Sequence, residues 1–496
     1  MARALCVVAT SSSAGKSLIV SLILYHLRRR GVRAAPFKPQ NMSLNSYPSV
    51  DGGEIALAQA MQAFAAGTEP LSCMNPVLLK PLGGLVEVVL RGRSRGLMSF
   101  VEYWRVVRAR AKKLIRECFE ELSEKYDVII IEGAGCVAEP NFVREDIANL
   151  WVAREYGVPA IMVADIERGG AFASIIGSLQ ILPPSLRRLV KGFVINKFRG
   201  SKHILDPALE WLERKTKRRV LGVIPFIEDL RLWPEDSMNL EPFGEGPIDI
   251  AVIAYPTISN FSDLEPLRLE ESVSVRIVKS KASLGEPHII LLPGSRNVFE
   301  ALSWLKSRGL DKEIKKLCGT SLVLGVCGGH QLMGKTISDP HGLEAGNPAH
   351  ATGLGLGDYT IVYGIEKIVS LTKAVPSSSN CFTDKNIVVE GYEIHRGRAI
   401  YASTPPAFMV IERNRRRSMD YDGSVGEGFL TTMIHGILNN PVLRHEVLRR
   451  AGESVGVKPS CTSGGWFDLL FKELEKAYRV FIENTDIDAL EKMIGL

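Results

Sequence analysis

The stretch Ala9 to Ser17, ATSSSAGKS, follows the apolar run Ala4 to Val8 and opens a helical pattern that reaches about Arg30. A strand, a loop of small residues and a helix in that order aim backbone N–H groups and the helix's positive end at one point, which suits phosphate. Lys16 would reach the terminal phosphates of a nucleotide and Ser17 would offer its hydroxyl to Mg2+, with Thr10, Ser13, Ala14 and Gly15 forming the cradle. A full Walker A loop has Gly six residues before the Lys, and that position is Thr10 here.

Further apolar runs alternate with helical patterns: Ala34 to Phe37, Val128 to Ile131, Ala160 to Val163, Val190 to Ile195 and Val220 to Ile224. Alternation of this kind predicts an α/β domain built on a parallel sheet with helices on both faces. Ligands of such sheets lie at the carboxyl ends of the strands. Lys38, in FKPQNMSLNS, follows the second run, and Glu132, in EGAG, follows the third. Lys38 would add a second positive charge, while Glu132 and Asp51, in DGGEIALAQ, are hard oxygen ligands of the kind Mg2+ takes. Asn196, in VINKFRG, would hydrogen-bond a nucleotide base or cap a turn.

Around Leu240 to Pro247 the pattern breaks into turn residues, then restarts at Ile248 to Ala254 with further strands expected at Val273 to Val278, Ile289 to Leu292 and Leu322 to Val326. GVCGGHQLMG, Gly325 to Gly334, places Cys327 directly after a strand and before a helix. On such a turn the sulfur is exposed, and the helix N-terminus lowers its pKa, so Cys327 is a candidate nucleophile. Backbone N–H groups near Gly328 and Gly294 would form an oxyanion hole. Three later histidines compete for the role of base: His330, inside the helix that starts at Cys327; His395, in GYEIHRGR; and His435, in TTMIHGIL.

GKS, FKPQNMSLNS, DGGEIALAQA, MNPVLLKP, EGAG, DIERGGAFA and VINKFRG, with ISNFSDLEPL, LLPGSRN and GVCGGHQLMG beyond residue 248, together resemble the cobyric acid synthase family. KPQNM favours that family over its relatives, the cobyrinic acid a,c-diamide synthases. Where the family usually has Gly and Asp, this chain has Ala9 and Ser13. The resemblance implies a P-loop domain like dethiobiotin synthetase over residues 1–243, a class I glutamine amidotransferase-like α/β domain over 248–452, and a helical tail over 459–496. It implies ATP and Mg2+ as cofactors, L-glutamine as ammonia source, and adenosylcobyrinic acid a,c-diamide as the substrate amidated on its b, d, e and g carboxylates. It selects His435 as the base for Cys327 and assigns Gln331, with Gly294 and Gly328, to the glutamine and oxyanion region. The amidotransferase pattern adds a Glu two residues after the His, but that place is Ile437, so another group must orient the imidazole. A ParA- or MinD-like ATPase switch is the rival from another class, and it leaves Cys327, His435 and the second domain without a use.

At 496 residues the chain is long enough for two or three cores. Its net charge of +6 is modest and its basic runs are short, so no nucleic-acid partner is expected. Eight cysteines without a CxxC pair indicate neither zinc nor a disulfide framework. No run approaches a membrane span, and a cytoplasmic protein is expected. In the tail, Trp466, Leu469, Leu470, Leu474, Tyr478 and Ile482 form an amphipathic stripe suited to docking on the body.

Overall fold

The computed structural model describes residues 2–496 except 142, 144, 229, 231–239, 378–381, 383–386, 454, 455 and 461. It divides into two compact units, and neither is a continuous block of chain. Met1–Ser43, Ile55–Trp233 and Leu470–Leu496 form the first; Leu44–Glu54 and Pro234–Leu469 form the second. The apolar face of the tail from Leu470 onward packs into the first unit, and residues 44–54 bond to the second.

The first unit is built on six parallel strands: β1 (Arg3–Ala9), β2 (Ala34–Phe37), β3 (Val128–Glu132), β4 (Ala160–Asp165), β5 (Val190–Phe198) and β6 (Arg219–Pro225). Their order across the sheet is β6-β5-β4-β1-β3-β2. All six were readable as apolar runs because helices cover both faces of the sheet, so their side chains are apolar on both sides. Helix α1 (Lys16–Arg29) buries Ile19, Val20, Ile23, Leu24 and Leu27 and stops before Gly31, whose φ of 73° breaks the helical path.

A second sheet in this unit, Gln40–Met42, Val77–Leu82, Leu85–Leu90 and Arg93–Ser99, was not expected. Its central hairpin turns at Gly83 and Gly84, both at positive φ, as a two-residue Gly-Gly connection requires.

In the second unit β7 (Ile248–Ile253), β8 (Val273–Val278), β9 (Ile289–Leu292), β10 (Leu322–Val326), β11 (Ser424–Gly426) and β12 (Phe429–Thr432) form a sheet in the order β8-β7-β9-β10-β12-β11. Only β11 runs antiparallel. Between β10 and β11 lies a separate sheet whose long strands Tyr359–Pro376 and Val389–Tyr401 pair antiparallel. Tyr359–Pro376 alternates buried and half-exposed residues along much of its length, the pattern of a sheet with one wet face.

The tail helix runs Trp466–Glu483. Within the first unit it buries Leu470, Leu474, Ala477, Tyr478 and Phe481, whereas Ile482, expected on the stripe, is 38% exposed. The spacing from Leu474 through Ala477 and Tyr478 to Phe481 keeps to the 3.6-residue turn, and Ile482 falls off that face. Tyr478 and Glu491 each hydrogen-bond a nitrogen of His26, both at 2.9 Å, and Arg29 pairs with Glu475 at 2.7 Å, so the tail is fastened to α1. Leu474→Ala, which empties a site 1% exposed, is expected to cost about 2–5 kcal/mol. Denaturant unfolding of the full chain measures this directly.

Candidate functional site

The first unit gathers its chemistry around Glu132, the last residue of β3, which is fully buried. Ser17 donates its hydroxyl to Glu132 Oε1 at 2.8 Å, and Lys38 Nζ pairs with the same oxygen at 2.7 Å. The Gln62 amide donates to Oε2. A buried carboxylate requires such partners, because burying an unpaired charge is costly. Each partner comes from a different element, so satisfying Glu132 draws the start of α1, the end of β2 and the helix Leu57–Ala65 to one place. Lys16 Nζ donates to the Gly135 carbonyl at 2.9 Å.

The loop itself needs its unusual residues. Ser13 has φ 57° and Gly15 φ 95°. A Cβ on Gly15 would lie 2.1 Å from Asn196 Nδ2, and that nitrogen donates to the Ala14 carbonyl at 2.9 Å. Asn196 therefore clamps the loop through its amide nitrogen. Lys197 adds a second tie, from Nζ to the Ser13 carbonyl at 2.9 Å and to Asp165 at 2.8 Å. Thr10 N donates to the Val163 carbonyl, tying the loop's start to β4.

One serine hydroxyl and one carboxylate at a loop that presents backbone N–H groups suit Mg2+, which keeps several waters and completes its shell with phosphate oxygens. Asp51, the other carboxylate named from the sequence, lies exposed on a turn closed by the Ser49 N–H to Gly53 carbonyl bond and is grouped with the second unit. Beside Ser17 and Lys38, the first unit places Gln62 on Glu132, a residue without a sequence signal of its own.

In the second unit Cys327 joins β10 to the helix Gly328–Met333 with φ 49° and ψ −102°, a strained backbone for a residue with a side chain. Its N–H donates to the Thr432 carbonyl at 2.7 Å. The glycines after it are required by close packing. A Cβ on Gly328 would lie 2.5 Å from Ser295 N, and one on Gly329 would lie 1.9 Å from the Leu292 carbonyl oxygen. The Cys327 elbow thus sits directly against the loop Pro293 to Ser295. Gly294 in turn faces His435, whose Cε1 would be 2.9 Å from an added Cβ.

His435 lies within electrostatic reach of the Cys327 sulfur. Its Nδ1 donates to Asp263 Oδ2 at 2.7 Å, and the Gly436 N–H donates to Asp263 Oδ1 at 2.5 Å. Asp263 is the orienting group that Ile437 cannot supply. It lies in ISNFSDLEPL, far from the histidine in sequence, so no local pattern pointed to it. A second buried carboxylate, Asp422, accepts from Thr432 Oγ1 and from Met433 N and fixes the loop that carries His435. Burial, reinforced by the charge of Glu393, pushes Asp422 up to about 6.

Burial by itself would pull His435 down, but the Asp263 carboxylate and the Cys327 sulfur outweigh it and push the imidazole up to about 10. The ring is then protonated at neutral pH, the partner a thiolate nucleophile needs. His330 behaves oppositely: burial, then the charge of His395, brings it down to about 3, and it stacks on Tyr359 with Nδ1 on Thr431. His395 is held by Glu393 and the Gly397 carbonyl. Gln331 is buried, with its amide held by Tyr363 and Met433.

Because its folded-state pKa is raised, protonated His435 stabilises the fold fully below about 6.5, the unperturbed imidazole value, and that contribution is lost as pH rises through about 10. Asp263→Asn is therefore expected to lower stability most below about pH 6.5, with the deficit shrinking toward about pH 10, in denaturant melts across pH. It should also slow alkylation of Cys327 by iodoacetamide at pH 7 by about tenfold, equivalent to about 1.4 kcal/mol. An unchanged alkylation rate would refute the role given to Asp263.

Residues 5–240 match the CobQ/CobB/MinD/ParA nucleotide binding domain, and residues 249–442 match the CobB/CobQ-like glutamine amidotransferase domain. Over the whole length the chain is similar to curated cobyric acid synthases. That of Pelotomaculum thermopropionicum is 39% identical over 511 residues, covering 100% of this chain and 97% of the relative. That of Moorella thermoacetica is 41% identical, covering 92% and 91%. That of Gloeobacter violaceus is 39% identical, covering 99% of both. With a nucleotide loop in one unit, a Cys–His–Asp set in the other and relatives matched from end to end, the chain belongs to the cobyric acid synthase family.

Proposed function

We propose that the chain amidates the b, d, e and g carboxylates of adenosylcobyrinic acid a,c-diamide, consuming ATP and glutamine. Family membership makes it a glutamine-dependent amide-forming enzyme of cobalamin biosynthesis. The observation that carries the finer reading is the pairing of two complete sites on one chain: the Glu132 cluster with its phosphate loop, and Cys327 with His435 and Asp263.

A carboxylate is a poor electrophile until its oxygen is made a leaving group. In the first unit the substrate carboxylate oxygen attacks the γ-phosphorus of ATP; the O–P bond forms as the bond to the ADP oxygen breaks, giving an acyl phosphate. Lys16 and Lys38 neutralise the charge on the transferring group, and the Thr10 to Ser17 loop positions it. Mg2+ held by Ser17 and Glu132 would supply further neutralisation of phosphate charge.

In the second unit the Cys327 thiolate attacks the carboxamide carbon of glutamine. The oxyanion faces backbone N–H groups of Gly328 and the Gly294 loop. His435 gives its proton to the departing nitrogen, which leaves as ammonia. A water, deprotonated by His435, then cleaves the thioester to glutamate and restores the thiolate. Asp263 keeps the ring oriented throughout. Ammonia attacks the acyl phosphate carbon, the C–N bond forms, and phosphate departs. Gln331 forms part of the wall beside Cys327.

Among the described residues no helix is long and apolar enough to cross a membrane, and we place the enzyme in the cytoplasm, where its nucleotide and glutamine are found. A MinD-like switch would use the first unit alone and leaves the Cys–His–Asp set idle.

Mass spectrometry of the corrinoid after incubation with MgATP and amide-labelled glutamine tests the reading. Stepwise gain of up to four labelled amides is expected, lost in Cys327→Ser and restored by free ammonia. New amides on cobyrinic acid at a and c instead would move the chain to the sister activity. Lys16→Ala is expected to lower amidation by about a hundredfold or more while glutamine hydrolysis persists. Equal loss of both activities in a folded variant would argue against two separable sites.

A further inference from the structure

Residues 44–54 stand out because the chain on either side of them belongs to the first unit and they belong to the second. This segment is a closed strap. The Ser49 N–H donates to the Gly53 carbonyl at 2.7 Å, and Ser46 Oγ donates to Glu54 Oε2 at 3.2 Å. Glu54 itself is fully buried and paired to Lys367 at 2.5 Å.

The strap reaches His435 by two routes. In the first, the Asn45–Ser46 stretch and Asn260 exchange hydrogen bonds: Asn260 N donates to Asn45 Oδ1 and Ser46 N donates to Asn260 Oδ1, both at 2.8 Å. All three residues are buried. Asn260 sits at φ 51°, at the start of the 3-10 turn Phe261–Leu269 that carries Asp263. Just before it, Ser259 N bonds the Gly294 carbonyl at 3.0 Å. Asn260 thus lies between the loop beside Cys327 and the carboxylate on His435. In the second route the Tyr47 ring packs 5.0 Å from Tyr392, which stacks on His435 at 5.0 Å and 19°. Tyr392 and His435 also exchange backbone hydrogen bonds at 3.0 and 2.8 Å.

We infer that Asn45 and Tyr47 are positioning residues for glutamine hydrolysis: through the reciprocal pair with Asn260 and the ring stack on Tyr392, the strap sets the orientation of the Asp263–His435 couple toward Cys327. Neither residue touches the reacting atoms. They act on the angle at which His435 meets the sulfur, so their loss lowers turnover and leaves glutamine binding intact. A misplaced general acid and base is costly even when the group itself is present. The inference rests on the glutaminase reading of Cys327.

Three variants of the full chain test it. Asn45→Ala removes the acceptor for Asn260 N. Asn45→Asp keeps that oxygen. Asn260→Gly keeps the left-handed backbone and removes the acceptor for Ser46 N. In Asn45→Ala and Asn260→Gly, kcat for glutamine hydrolysis is expected to fall by about tenfold, or about 1.4 kcal/mol. KM for glutamine should hold, and amidation driven by ammonium chloride should stay within about twofold of the parent, well under that tenfold step. Asn45→Asp is expected to recover hydrolysis. Tyr47→Leu should follow Asn45→Ala in direction.

Parental hydrolysis by Asn45→Ala overturns the inference. So does an Asn45→Asp variant as impaired as Asn45→Ala, or a parallel fall in the ammonia-driven reaction, which would mark a general structural role. A Cys327→Ser chain that still hydrolyses glutamine overturns the glutaminase reading itself, and this result is distinguishable from all the others.

Discussion

A carboxylate taken out of water must be met by cations or hydrogen-bond donors, and in this molecule that requirement shapes both reactive centres. Glu132 is fully buried and is met by Lys38, Ser17 and Gln62; Asp263 is 1% exposed and is met by His435 and the Gly436 N–H. Removing one partner would strand the charge, which is why the elements bearing these groups cannot drift apart without cost. The geometry needed for chemistry is thus held by the same interactions that make burial tolerable.

Each centre also uses a strand that ends in a tight turn and re-enters as a helix. The turn is paid for in backbone strain at Ser13 and Cys327, both non-glycine residues at positive φ. In both cases a neighbouring element locks it: Asn196 and Lys197 from β5 on the phosphate loop, and the Pro293 to Ser295 loop on the cysteine elbow. The glycines beside these turns serve close approach as much as flexibility. Gly329 accepts no side chain because the Leu292 carbonyl occupies that space.

The parallel sheets were legible because strands covered on both faces are apolar throughout, and the two turns were legible because strand, small residues and helix are contiguous. Cys327 could be named from its local pattern for the same reason, whereas the choice of His435 among three histidines came from the family resemblance. What remained hidden depends on contacts between distant stretches. Asp263 sits on a 3-10 turn early in the second unit, and nothing near His435 announces it. Gln62 reads as one polar residue on a helix. The antiparallel strands from 336 to 422 have one wet face, so their apolar content is diluted and the sequence pattern is weaker than for the buried strands.

The strap at 44–54 makes the two halves of this chain inseparable at the level of the gene. A continuous reading frame for residues 234–469 would encode Cys327, Asp263 and His435 yet omit Asn45, Tyr47 and Glu54, leaving Asn260 and Lys367 without partners they have in the whole chain. One cut therefore does not yield a complete amidotransferase unit. A lineage that split this protein into two polypeptides would have to rebuild that strand locally or supply it from the other subunit, and either solution would be visible as an inserted hairpin or an exchanged peptide in the separated enzyme.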